Sequence, residues 1–245
     1  MNPRFVLPPH PKTGSHIRRQ DLPVYEEMGG YLAQRKFNGT HGVIWIGGNK
    51  VSIWDRRGVP LSLYKLNESM KRCLLGLGCD PSKESIFTGD ILHTKAKSER
   101  TGEQEAKDTI VLFDVIVHDN EPLTRMNQVD RLKLLSDICG NPSKLEGPKF
   151  FGATSRALVV SEYADSEIDV AHLWLAETFM EDFQYHYDEC CYDQLDKNGY
   201  DKYKEIEGLV LRQRDSRLQF KQGDIGDVDW IIRCRKDRLQ IKSSV

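Results

Sequence analysis

The sequence predicts a mixed α+β domain, and three observations carry that expectation. Short runs of β-branched and aromatic residues recur through the first half of the chain. Two stretches of helical apolar spacing follow, and strand-like runs return near the end. The closing strands must then pair with sheets begun near the N-terminus. With 245 residues, of which 39% are hydrophobic, the chain can bury a proper core. Residues 1–245 are expected to form a single domain, with a basic C-terminal tail over 233–245.

Taken in order, residues 31–34, 42–46, 51–54, 85–92 and 109–117 read as strands bounded by Gly, Asn and Asp breakers. Gly47-Gly48-Asn49-Lys50 reads as a hairpin turn. Apolar positions at helical spacing predict helices over 125–139 and over 168–191, the second holding Val170, Leu173, Leu175, Phe179 and Phe183. Strands are expected again over 208–212, 218–221 and 230–234. The polar segments 95–107 and 192–204 read as exposed loops, and Lys95, Lys97, Arg100 and Lys107 make the first a candidate phosphate-contacting surface.

Composition excludes several classes. Charged residues are 29% of the chain yet leave a formal charge of −2, so no whole-chain basic field marks a nucleic-acid binder, and any such surface must be a local patch. The N-terminus has no apolar stretch of signal-peptide length, and no run elsewhere is long enough to span a bilayer. A soluble, cytoplasmic protein is the expectation. Six cysteines form no CxxC, and neither they nor the seven histidines show the spacing of a zinc site or of HExxH. Walker-type and GxGxxG phosphate loops are absent as well.

The sharpest local signal is Tyr31-Leu32-Ala33-Gln34-Arg35-Lys36-Phe37-Asn38-Gly39-Thr40-His41-Gly42, a hydrophobic strand that runs into a lysine and then a turn. It resembles the first motif, Lys-x-Asp-Gly, of the covalent nucleotidyltransferase superfamily of DNA ligases, RNA ligases and mRNA capping enzymes. Further elements follow in that family's order. Trp54-Asp55-Arg56-Arg57-Gly58 resembles the Ser-Arg-Asn-Gly segment, and Phe87-Thr88-Gly89-Asp90 the third motif, Asp-Gly-Glu. Val111-Leu112-Phe113-Asp114-Val115 resembles the strand whose aromatic residue covers adenine, and Glu207-Gly208-Leu209-Val210-Leu211-Arg212 the fourth motif. Leu218-Gln219-Phe220-Lys221 is similar to the fifth, Lys-x-Lys.

The resemblance implies an adenylation domain of the nucleotidyltransferase (ATP-grasp-like) fold, with antiparallel sheets flanked by helices and its motifs spread over 34–232. It implies Lys36 as the nucleophile that becomes lysyl-AMP, with Arg56 and Lys221 as catalytic cations. ATP is the implied AMP donor and Mg²⁺ or Mn²⁺ the metal, held by Asp90 and Glu207 as hard oxygen donors. Phe113 is expected to stack on adenine and Gln34 to bond its edge, while Arg35, Asn38, Gly39 and Gln219 are the remaining cofactor-binding positions. A lysine needs such surroundings because its ammonium form cannot attack phosphorus.

The implied activity is ATP-dependent strand sealing, with DNA ligase favoured by the Ser-Arg-Asn-Gly-like segment and RNA ligase as the alternative. A nucleotide- or nucleic-acid-binding protein with weakened catalysis is the reading from a different class. Only about a dozen residues follow Ile232, so no oligonucleotide-binding barrel is expected within this sequence. The grip on nicked DNA or on RNA then falls to local basic patches or to a protein partner that supplies the clamp. Departures from the family pattern are Asn38 for Asp, His41 for Arg, Thr88 and Asp90 in the third motif, and Gln219 for Lys.

Overall fold

The computed structural model describes residues 8–62, 64–92, 108–140, 157–164, 170–191, 206–219 and 227–236. The candidate loops over 95–107 and 192–204 lie outside these. Two short strands, β1 (His10–Pro11) and β2 (His16–Ile17), lead into α1 (Leu22–Glu27), which is followed by β3 (Tyr31–Phe37), β4 (Thr40–Gly47) and β5 (Lys50–Trp54). Then come α2 (Glu68–Leu75), β6 (Ser85–Leu92), β7 (Thr109–His118), β8 (Glu121–Pro122) and α3 (Gln128–Ile138). The chain continues through β9 (Leu158–Ala164), β10 (Val170–Leu175), β11 (Thr178–Phe179), α4 (Phe183–Cys191), β12 (Ile206–Gln213), β13 (Asp227–Val228) and β14 (Ile231–Arg235).

These strands form a seven-stranded sheet of order β5-β4-β6-β7-β10-β9, with β8 added to β7, and a five-stranded sheet of order β11-β3-β12-β14-β2. The architecture is the expected mixture of sheets with few helices, and the closing strands β12 and β14 join the sheet that β3 begins. Pairing is mainly antiparallel, but β7–β10, β2–β14 and β1–β13 are parallel, which corrects the purely antiparallel expectation. Three apolar clusters hold the layers. One packs the seven-stranded sheet against α2 and α3 through Phe87, Leu112, Met70 and Leu135. A second packs α1 and α4 on the five-stranded sheet, and the third, with Phe37, Val111, Trp174 and Ile206, lies between the sheets.

Local chemistry explains the boundaries. Gly48 and Asn49 have φ of 55° and 58°, the two left-handed residues that a tight hairpin between twisted strands requires, so the turn read from sequence is the turn that forms. Asn127 caps α3 by accepting a hydrogen bond from the Asp130 amide at 2.9 Å, so this helix begins at Gln128 and not at 125.

The helix expected over 168–191 does not form as one element. Ala171, Leu173 and Leu175 are all buried at period two, and β10 pairs with both β7 and β9. Helical structure starts only at Phe183, after Asp182 turns the chain at φ 57° and Glu26 accepts from the amides of Asp182 and Phe183 at 2.7 and 2.9 Å. The strand expected over 218–221 is also corrected: Leu218 and Gln219 pair with no strand, and the other two residues lie outside the described ones.

Candidate active site

Lys36 stands near the end of β3, opposite Gly208 of β12. The register of that pair shifts between Ile206 and Gly208, which leaves Glu207 as the bulged residue. Bulges re-aim side chains, and here the Glu207 carboxylate meets the lysine, with Oε2 2.6 Å from Lys36 Nζ. Gly208 is required at this point. Its φ is 138°, and a Cβ would lie 2.0 Å from the Cys234 carbonyl oxygen.

Alternation along β3 puts Gln34 on the same side as Lys36. The Gln34 amide donates to the Phe113 carbonyl at 3.3 Å and to Thr178 Oγ1 at 3.2 Å, while its own Oε1 is buried without a partner among the described residues. Beyond Asn38 and Gly39 the chain crosses into the seven-stranded sheet as β4. Gly39 fits close under β6, where a Cβ would lie 2.9 Å from the Ile91 carbonyl oxygen. The β4–β6 register then sets His41 directly opposite Asp90.

A cavity of about 150 Å³ opens between the sheets, lined by Gln34, Lys36, Gly39, His41, Asp90, Phe113, Arg212, Arg233 and Arg235, with Pro9 to Pro11 at its N-terminal side. The Arg212 guanidinium lies 5.1 Å over the Phe113 ring and 3.6 Å from Asp114. Asp114 in turn receives Arg131 at 3.0 and 3.2 Å, so a fully buried ion network fixes the strand that carries Phe113. Burial, reinforced by the charge of Glu207, pushes the Asp90 carboxyl up to about 6, while Lys36 and Arg212 oppose the shift. Burial, with His10 and the cations Arg212, Arg56 and Lys36 in support, pushes His41 down to about 3, so its imidazole is neutral at physiological pH.

Of the residues singled out from sequence, Gln34, Lys36, Gly39, Asp90 and Phe113 line the cavity together, and Glu207 joins them through Lys36. Arg56 borders it: its Nη1 donates to His10 Nε2 at 2.9 Å, and His10 Nδ1 faces Asp227 Oδ1 at 3.4 Å. Because arginine can only donate, Nε2 is the acceptor and Nδ1 carries the hydrogen. Arg35 lines the cavity too, but its guanidinium reaches Glu189 at 2.8 Å and Glu177 at 3.6 Å and lies over the Phe179 ring. Asn38 and Gln219 are exposed and do not line the cavity, and Lys221 lies outside the described residues.

Sequence reasoning missed Arg233 and Arg235, read there as the start of a basic tail, and the two histidines His10 and His41. The arginines belong to β14, two residues apart on one face beside β12, and both line the cavity. The signal was present as Arg-x-Arg inside a strand-like run. Glu207 Oε2 lies 3.8 Å from Arg235 Nε, so one carboxylate bridges β3 and β14.

Comparison with known proteins adds the following. No family profile and no curated protein matches the chain. Among solved structures it is similar to a mycobacterial DNA ligase D complexed with ATP and MES, at 13% identity and a TM-score of 0.46, over 84% of this chain and 54% of that one. It is similar to the ligase domain of LigD from M. tuberculosis at 15% identity and a TM-score of 0.47, over 82% and 53%. It is also similar to a structure from a study of Lig E DNA ligases as a minimal DNA-binding scaffold, at 11% identity and a TM-score of 0.45, over 94% and 68%. The chain spans about half the length of the first two.

Proposed function

We propose that this chain is an ATP-dependent polynucleotide ligase that works through a lysyl-AMP on Lys36. The observation that carries the reading is the meeting of six motif residues, 34, 36, 39, 90, 113 and 207, which come from four strands and the β3–β4 turn, around one cavity. A hairpin lysine on an ordinary surface has no reason to collect an aromatic plate, an amide, two carboxylates and three arginines.

In the first step Lys36 Nζ attacks the α-phosphorus of ATP. Lys36 first gives one ammonium proton to Glu207 Oε2 at 2.6 Å, the neutral amine then forms the N–P bond as the P–O bond to pyrophosphate breaks, and the second proton leaves Nζ to solvent or to the departing pyrophosphate. Phe113, backed by Arg212, offers adenine a face, and the unpartnered Gln34 Oε1 is free to accept from the exocyclic amine. Arg233 and Arg235, which line the cavity, supply phosphate-facing cations, while Lys221, expected in that role, lies outside the described residues.

Asp90 and Glu207 fit a divalent cation. Burial and the neighbouring Glu207 charge push the Asp90 carboxyl up to about 6, and a cation held by these carboxylates would favour its ionised form. Mg²⁺ or Mn²⁺ would be held by these two carboxylates and completed by substrate phosphates. When bound, the metal neutralises charge growing on the leaving pyrophosphate.

Transfer of AMP to a 5′-phosphate and displacement by a 3′-hydroxyl then seal the strand, with nicked duplex DNA the favoured substrate, RNA the alternative, and a protein partner as the source of any clamp. No helix among the described residues is long and apolar enough to cross a membrane. Incubation with ATP labelled at the α-phosphate, followed by denaturing electrophoresis, tests the first step. Label on the wild type and none on Lys36→Ala supports it, and equal label on both overturns it. Nicked DNA, nicked DNA–RNA hybrid and single-stranded RNA offered in parallel then assign the substrate.

A further inference from the structure

Four of the five large apolar side chains that stand exposed among the described residues, Val24, Met28, Met180 and Tyr185, belong to α1 and to the corner between β11 and α4. Leu22 and Tyr25 turn inward onto the five-stranded sheet, so Val24 and Met28, one helical turn apart, share the outward face of α1 and its cap. Phe183 and Tyr187 of α4 turn inward into the same cluster, and Tyr185 between them points outward, 65% exposed. Two links lock these distant segments together. Glu26 accepts from the amides of Asp182 and Phe183, and Arg214 donates to the carbonyls of Tyr31 and Met180 at 2.7 Å. Scattered apolar residues on a surface need no explanation, but a set gathered on two joined elements does.

The surroundings of this face are acidic. Glu27, Glu181 and Asp182 are exposed within it, and neither stretch 20–34 nor stretch 170–191 contains a lysine or an arginine. Of the neighbouring cations, Arg19 pairs with Asp188, and Arg214 is held by the two carbonyls. Alternation along β3 sets Tyr31 and Ala33 under α1 and α4, whereas Gln34 and Lys36 face the cavity with its arginines. An acidic apolar face and a basic cavity therefore lie on opposite sides of one sheet.

That charge decides the occupant. Nucleic acid and an anionic lipid surface are repelled, and a second copy in a two-fold contact brings the same acids against themselves. We propose that this face docks a basic segment of a partner protein, whose apolar anchors meet Met28 and Tyr185 while its lysines or arginines lie over Glu27, Glu181 and Asp182. Methionine adapts to the shape of what it meets, and tyrosine is a frequent anchor of such contacts. The proposal does not depend on the reading of the cavity as the ATP site, because none of these residues lines it.

A displayed library of random peptides of about 16 residues, enough for four helical turns, supplies the probe. It is selected on the full chain and counter-selected on M28S/Y185S, which removes two anchors and keeps the acids. The enriched peptides are expected to combine a net positive charge with apolar anchors. By fluorescence anisotropy they should bind the wild type about tenfold or more tighter than M28S/Y185S, and about threefold or more tighter than E27K/E181K. A second pair, V24S/M180S, should weaken them in the same direction and decides the matter if M28S/Y185S unfolds early in urea. Failure to enrich any peptide overturns the proposal, as do enriched peptides that lack net positive charge or that bind the wild type and both serine variants equally. So does a wild type that sediments as a dimer beside a monomeric M28S/Y185S, which assigns the face to a second copy.

Discussion

Lys36→Arg separates the ion pair that the lysine makes from the nucleophilic role proposed for it. Arginine keeps the charge pair with Glu207, which is 17% and 30% exposed on its two sides, so folding stability should move by less than about 0.5 kcal/mol. Adenylation should vanish, because a guanidinium does not lose its proton to become a nucleophile. Urea titration and α-phosphate labelling of the same preparation check both halves.

His41 carries the clearest pH effect. Its folded-state value is pushed down to about 3, below the ordinary histidine value, so the folded chain refuses a proton that the unfolded chain binds. That contribution to stability is intact above pH 6.5 and declines as pH falls from there toward 3. Between pH 7 and pH 5 the wild type should lose about 2 kcal/mol more than His41→Phe, measured by chemical denaturation at the two pH values. Asp90 and Glu207 were legible in the sequence because each adjoins a glycine, and Lys36 because a hydrophobic strand runs into it just before the Asn38-Gly39 turn. His41 was visible only as a departure from a pattern, since burial of one nitrogen is a tertiary fact.

The strand β6 was readable because its run is rich in β-branched and aromatic residues, and it is buried almost throughout, as a strand inside a covered sheet is. The misreading over 168–191 has a physical cause: apolar residues in β10, β11 and α4 fall at spacings that a helix also satisfies, and only pairing with β7 decides. Arg233 escaped for a related reason: the strand over 230–234 was expected, but only its pairing with β12 shows that this arginine belongs to the cavity wall. The bulge at Glu207 makes an element-level prediction. Gly208→Ala must force β14 away from β12, since the new Cβ meets the Cys234 carbonyl oxygen at 2.0 Å, and should cost about 2–4 kcal/mol with loss of labelling. Asp114→Ala leaves Arg131 and Arg212 buried without their shared carboxylate, and a loss of about 3–5 kcal/mol in denaturant titration is expected.

For the molecule as a whole, the two sheets contribute complementary halves of one cavity: β3, β12 and β14 bring Lys36, Glu207 and the arginines, and β4, β6 and β7 bring His41, Asp90 and Phe113. With a chain charge of −2, the proposed attraction to nucleic acid has only local basic patches to draw on, so nick binding should be weak and fall steeply between 50 and 200 mM salt, as fluorescence anisotropy would read. Peptide mapping by mass spectrometry after incubation with ATP and Mg²⁺, under conditions that preserve phosphoramidates, tests the central claim most directly. The account predicts one AMP per chain on the peptide containing Lys36, lost when divalent cations are chelated. AMP on another residue, or an unmodified Lys36 peptide from a folded chain saturated with ATP and Mg²⁺, would contradict it.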